Sequence, residues 1–175
     1  MTIRFETKPL KIGSLTILLL PKSASTKLPS RGMVMVEGII NDFHFQAPLE
    51  PDGKGSHWFV IDKKISKATE AAAGKTVTLA IKPIKNWPNP EVPTDLKNAI
   101  ADAPQAQAMW LDITPMARWD WIRWIRSTKN AETRKKRIQV ALSKLKSGER
   151  RPCCFNRSMC TDPSVSNNGV LLDPE

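Results

Sequence analysis

Residues 115–151 read PMARWDWIRWIRSTKNAETRKKRIQVALSKLKSGERR, and the fold is decided there. The stretch reads as two helices joined at Ser127–Asn130. Pro115 suits a first helical turn, where its missing amide costs nothing, and Thr114 before it can cap. At about 100° per residue, Ala117, Trp121, Trp124 and Ile125 gather on one face with Ile122 at its edge, the pattern of a buried stripe. Trp119 falls on the opposite side with Arg123 and Arg126. An aromatic among arginines can stack on a base, sit at a lipid interface or pack against a β-barrel read in the first half of the chain. Asn130 is a good cap for the second helix, and Glu132 in its first turn complements the helix dipole. Ile138, Ala141, Leu142 and Leu145 repeat at i, i+3, i+4 and i+7, so this helix also buries one stripe. Gly148 ends it.

The charge of the chain is concentrated in the same place. Of 27 Lys and Arg against 17 Asp and Glu, twelve basic residues lie between Arg118 and Arg151, facing only Asp120, Glu132 and Glu149. The remaining segments are close to neutral. So concentrated a basic face suits an acidic protein, nucleic acid or an anionic membrane surface. It is equally consistent with a solvated cationic surface that has no partner.

Upstream, residues 86–93 read NWPNPEVP, with three prolines in eight positions. Proline fixes its own backbone and lacks an amide donor, so residues 87–93 read as a stiff linker between two domains. Thr94 or Asp95 can cap a short helix running to Ala101, and a second helical piece follows at Pro104–Leu111. Before the linker the pattern changes to strands. Ile3, Phe5 and Thr7 alternate with Arg4 and Glu6, and residues 14–20, SLTILLL, are apolar on both faces. Further strands are expected at 33–40, 43–46, 57–61 and 75–84, with Gly38 a candidate bulge or bend and a turn at Pro51-Asp52-Gly53. Residues 65–74, ISKATEAAAG, read as one short helix stopped by Gly74. Six strands with many turns and no β-α-β rhythm favour a small β-barrel over residues 1–86. The fold class is therefore α+β, a small six-stranded β-barrel followed by a basic helical module at 94–151.

Residues 152–175 hold all three cysteines and are expected to be a flexible tail, or to dock only through Val170-Leu171-Leu172. Three cysteines make no disulfide framework, which points to a reducing cytoplasm. The apolar run Leu15–Leu20 is short for a signal peptide, and no run approaches the roughly 20 apolar residues of a membrane span.

Candidates for chemistry are few. His44 and His57 are the only histidines. If they sat on paired strands near Glu37, Asp42 or Asp62, a carboxylate–histidine acid/base site would be conceivable. Cys153, Cys154 and Cys160 could ligate zinc, although adjacent cysteines fit the usual ligand spacing poorly and no fourth ligand stands out. Neither a catalytic set nor a cofactor is expected. Lys129, Glu132, Arg134 and Arg137 form either an ion-pair network fixing the turn between the helices, or an anion site around the helix N-terminus.

Trp124-Ile125, Lys129, Glu132-Thr133-Arg134, Arg137-Ile138 and the closing Gly148 with Arg150 resemble the helical module of the bacteriocin-protection family, also called YdeI/OmpD-associated. Val92-Pro93, Asp95-Leu96, Pro115 and Arg118 fit the same pattern. Gly32, Val36, Gly38, Ile40-Asn41 and Gly74–Val77 look like the small-barrel domain of unknown function that precedes this module in many relatives. The resemblance implies a bacterial protein linked to surviving bacteriocins or cationic stress, and implies no reaction, cofactor or ligand. Trp124, Glu132 and Thr133 belong to its structural motif. Trp119 and Arg126 depart from it, standing at outward positions where the resemblance implies charged residues, often acidic ones at 126. Together these readings predict a non-enzymatic binding protein acting through Trp119, Arg123, Arg126, Lys129, Arg134 and Arg137. Nucleic-acid binding by that face, or a barrel that binds a small molecule, are the alternatives.

Overall fold

The computed structural model describes residues 1–153 and 155–175. The chain divides into two compact units. One comprises Met1–Asn86, Arg157–Cys160 and Ser164–Glu175, and the other Trp87–Asn156 and Thr161–Pro163.

The first unit is a curled antiparallel sheet. Its strands are β1 (Ile3–Thr7), β2 (Leu10–Ile12), β3 (Leu15–Leu19), β4 (Val34–Ile40), β5 (Phe43–Pro51), β6 (His57–Val60) and β7 (Val77–Pro83), in the order β1-β7-β4-β5-β6-β3-β2. Seven strands replace the expected six, and the sheet is a half-barrel with β1 and β2 as its edges. The strand missed in the sequence is β2. It is too short to show a period and pairs with β3 across the turn at Gly13-Ser14, where Gly13 takes a positive φ of 58°.

Long β5 explains the curl. Its first seven residues pair with β4 and only Glu50 and Pro51 pair with β6. The β4–β5 hairpin turns on Asn41 and Asp42, both left-handed at φ 43° and 69°, a conformation their short polar side chains tolerate. Gly38 is not the expected bulge, since the register of β4 runs unbroken against both β5 and β7. Glycine is needed because a Cβ there would lie 2.2 Å from the Ala80 carbonyl oxygen. Two short helices complete this part, α1 (Lys22–Ser25) and α2 (Lys63–Thr69). The second starts earlier than its alanines suggest, because Asp62 caps the Ile65 amide, and it stops at left-handed Glu70.

The apolar character of both faces of β3 now has a cause. Leu18 turns into the main core with Val36, Leu49, Phe59 and Ile81, where Phe45 and Phe59 stack at 5.5 Å. Ile17 turns the other way, into a second core with Ile12, Trp58, Cys160, Val165 and Leu171. The last three come from the segment expected to be a flexible tail. That segment instead forms a hairpin of β8 (Ser166–Asn167) and β9 (Val170–Leu171). It is fastened by the Leu171 amide to the Asp52 carbonyl at 2.8 Å and the Glu175 amide to the Lys11 carbonyl at 3.0 Å. Of the apolar triplet only Leu171 is buried, with Val170 and Leu172 remaining in water.

The second unit holds α3 (Thr94–Ala101), α4 (Pro104–Asp112), α5 (Pro115–Arg126) and α6 (Ala131–Lys146). Leu96, Trp110, Trp121, Ile125, Ile138 and Leu145 are central to its core, with Trp124 half-buried against it. Both caps expected for the long helices are made. Thr114 Oγ1 accepts from the Ala117 amide at 3.1 Å, and Asn130 Oδ1 from the Thr133 amide at 2.9 Å. At the start of α3, by contrast, neither Thr94 nor Asp95 is the cap, for the helix begins at Thr94 itself behind Pro93. After α6 the chain turns at left-handed Gly148 and returns across the bundle. There the Arg150 carbonyl accepts from Trp121 Nε1 at 3.0 Å, and its guanidinium grips Asp112 at 2.7 Å. No helix among the described residues is long and apolar enough to cross a membrane.

Candidate functional site

The two basic helices use their charges in different ways. On α5 the guanidinium of Arg118 donates to the Trp110 carbonyl at 2.9 Å, the Leu111 carbonyl at 3.1 Å and Asn89 Oδ1 at 2.6 Å. Arg123 is only 1% exposed and stacks over the Phe155 ring at 5.3 Å. Arg126 reaches the Thr161 hydroxyl with Nε and Nη2 at 3.3 and 3.2 Å. Trp119 is half-buried, with its Nε1 enclosed and without a hydrogen-bond acceptor among the described residues. The side of α5 read as a working surface is therefore largely engaged within the fold. The helical wheel placed Trp119, Arg123 and Arg126 together correctly, but it could not show that residues 155 and 161 would meet them.

The motif at the start of α6 divides into two parts. Arg137 Nη1 donates to the Trp124 carbonyl at 2.8 Å and the Ser127 hydroxyl at 2.6 Å, and its guanidinium lies 5.6 Å from the centre of the Trp124 ring. A cation thus joins Ser127 on the Trp124 carbonyl where α5 ends, where the helix dipole is negative. Arg134 makes a two-pronged ion pair with Asp95 of α3, at 2.6 and 3.0 Å. The guanidinium holds the Asp95 carboxyl below its ordinary value. Arg137 thus braces the end of α5 and Arg134 ties α6 to α3.

What remains in water is lysine. Lys129, Lys135 and Lys136 are exposed, and apart from a 4.0 Å approach of Lys135 to Glu132 none makes an ion pair among the described residues. Lys135 and Lys136 border a groove of about 790 Å³ between α3 and α6. Its lining adds Ala99, Ala131, Ile138 and Val140, with the Asp95–Arg134 pair beside them. This apolar floor was not legible in the sequence, because it needs α3 placed against α6.

The histidines are not brought together. His44 is exposed on β5, paired with Ile39, in a shallow cavity of about 760 Å³ that Arg4, Glu37, Lys64 and Lys82 also line. His57 is fully buried on β6. Its Nε2 lies 2.8 Å from the Gly32 carbonyl, which can only accept, so Nε2 carries the proton. Nδ1 then accepts from the Ser25 hydroxyl at 2.7 Å. Arg31 completes the cluster, donating to the Ser25 carbonyl at 2.5 Å and the Gly55 carbonyl at 3.2 Å. Burial lowers the imidazole below its ordinary 6.5 and outweighs the raising effect of the Gly32 hydrogen bond. A serine and a histidine so deeply enclosed tie loops together and offer no nucleophile to solvent.

Cys153 is exposed and Cys160 is buried in the second core of the sheet unit, while Cys154 lies outside the described residues. No cluster of three or more His, Cys, Asp or Glu among the described residues is arranged to hold a metal ion.

Comparison with known proteins gives two family matches. Residues 89–148 match the family described as bacteriocin-protection, YdeI or OmpD-associated. Residues 3–81 match a domain of unknown function, DUF1905. No curated protein matches the chain. The motif residues Trp124, Lys129, Glu132, Thr133, Arg134 and Arg137 all fall inside the first match, and every strand from β1 to β6 falls inside the second. The chain thus joins a sheet part that matches the DUF1905 model to a helical part that matches the bacteriocin-protection, YdeI or OmpD-associated model.

Proposed function

We propose that this is a non-enzymatic bacterial binding protein with a protective role under stress, working in the cytoplasm and engaging an anionic partner through the water-facing side of α6. The observation that carries this reading is the lysine set at Lys129, Lys135 and Lys136, which holds its charge in water while the arginines of α5 are engaged internally. An unengaged cationic helix face attracts polyanions at long range, and salt screens that attraction. Arg134 borders the face but is held by Asp95, and Arg137 supports it from beneath. Trp119, Arg123 and Arg126 drop out of the binding surface on this reading. Residues 87–93 act as the linker between a sheet domain at 1–86 and the helical module at 94–151.

The test is a titration of the full chain with single-stranded RNA, duplex DNA, poly-glutamate and anionic vesicles, each at low and high salt, followed by tryptophan fluorescence. The expected result is binding to at least one of these that weakens with salt and is lost in a Lys129→Ser, Lys135→Ser, Lys136→Ser variant. Silence towards all four ends the polyanion reading.

A second reading rests on the cavity at His44. Three further basic side chains and one carboxylate around an apolar patch at Ile39 and Ala80 are suited to a small organic anion. Chemical-shift changes at His44 on adding small carboxylates, abolished by His44→Ala with Lys82→Ser, would support it. An unchanged spectrum would remove it.

A further inference from the structure

The groove between α3 and α6 is more than a charged surface, and its composition selects among anions. A phosphate strand needs cations and, where it is read, hydrogen-bond donors or stacking rings. This groove has a different make-up. Ala99, Ala131 and Ile138 form an apolar floor, Val140 stands at its outer border and is 42% exposed, and no aromatic ring lines it. The cations stand at the border, where Lys135 and Lys136 meet water. Asp95 is matched by Arg134 and Glu132 approaches Lys135 at 4.0 Å, so with Lys136 the border keeps a net positive charge.

From this pattern we infer that the groove docks an acidic amphipathic helix of a partner protein, with apolar side chains on the floor and Glu or Asp against the lysines. The inference rests on the cationic-face reading above and adds the partner's class. Ala131 and Ile138 stand seven residues apart along α6, about 10 Å at 1.5 Å per residue. That is two helical turns, the span over which a docking helix presents residues i, i+3, i+4 and i+7. Alanine at positions 99 and 131 leaves depth for the larger side chains of such a helix. The complementary charge is supplied by lysines at the border, where steering needs little desolvation.

The experiment follows backbone amide shifts of the full chain as three probes are added. The first is a synthetic helix with leucines at i, i+3, i+4 and i+7 and glutamates elsewhere. The second has the same composition scrambled, and the third is an oligothymidylate. The expected result is shifts along Ala99 and Ala131–Val140 with the patterned helix, and affinity at least about tenfold above the scrambled peptide. Val140→Ser, on an exposed position that leaves the fold intact, should weaken the patterned helix and leave the oligonucleotide unaffected. Ala131→Trp should block the helix by filling the groove. Equal affinity for patterned and scrambled peptides, tighter binding of the oligonucleotide, or shifts confined to other surfaces overturns the inference while the cationic-face reading stands. Failure of all three probes to bind overturns the inference, and the cationic-face reading falls with it only when RNA, duplex DNA, poly-glutamate and anionic vesicles are silent as well.

Discussion

Helices α5 and α6 are both rich in basic residues, yet only one of them keeps its charge at the surface. On α5 the cations are arginines, and each is taken up by carbonyls, a hydroxyl or a ring. On α6 the two arginines are similarly used, while Lys135 and Lys136 remain solvated. The division follows the chemistry of the two side chains. A planar guanidinium with five donors can satisfy several acceptors at once and is weakly hydrated, whereas an ammonium holds its water. Positive charge counted along a sequence therefore overstates the charge available to a partner, and lysine position is the better guide.

Substitutions can break that contrast at either end. Arg123→Ala should have the largest effect, because it empties a fully buried site and removes the stack on Phe155. A loss of about 4 kcal/mol in denaturant unfolding is expected. Its counterpart in the sheet unit is His57, which is equally buried but kept neutral. His57→Ala should cost about 3 kcal/mol by orphaning the Ser25 hydroxyl and the Gly32 carbonyl. The imidazole also makes stability depend on pH. Its folded value lies below 6.5, so below that pH the unfolded chain takes up a proton that the folded chain refuses. Stability should fall as pH drops below 6.5, and His57→Gln should lose that component.

Arg137→Ala comes next, at about 2 kcal/mol, since it removes hydrogen bonds to the Trp124 carbonyl and Ser127 hydroxyl and the contact with the Trp124 ring. Arg134→Ala should cost less than about 1 kcal/mol, because the pair with Asp95 is partly exposed and screened. Asp95 titrates below its ordinary 3.8, so that contribution is present above pH 3.8 and lost as pH falls through the lowered value. Lys136→Ser should change stability least, within about 0.5 kcal/mol, while weakening any polyanion bound to α6. A Lys136→Ser variant as unstable as Arg137→Ala would erase the contrast between the two helices.

How much of this was legible in the sequence depended on range. Thr114 and Asn130 act within three residues of themselves, so both caps could be read. The stripe at Ile138, Ala141 and Leu145 was equally local. Arg123 and Arg126 could be placed on one side of α5, but their partners at 155 and 161 lie beyond a loop with no periodic signal. Strand β3 held a clue that went unused. A strand apolar on both faces needs a cover on each, and Val165 and Leu171 were the apolar residues left to provide the second. The groove was hidden because alanines that read as helix formers become a floor only when α3 lies beside α6.

The fastening of Glu175 to Lys11 has a consequence for how the protein is made. The ribosome delivers the first seven strands early, but Ile17 and Trp58 cannot be covered until residues beyond 160 have emerged. The helical module, lying between in the chain, is complete by then. The nascent sheet thus waits with one greasy side bare while about 70 further residues are translated, some seconds at roughly 5–20 residues per second. Newly made chains stalled or truncated before Val165 should be the aggregation-prone form of this protein, and the ones a cell's chaperones meet first.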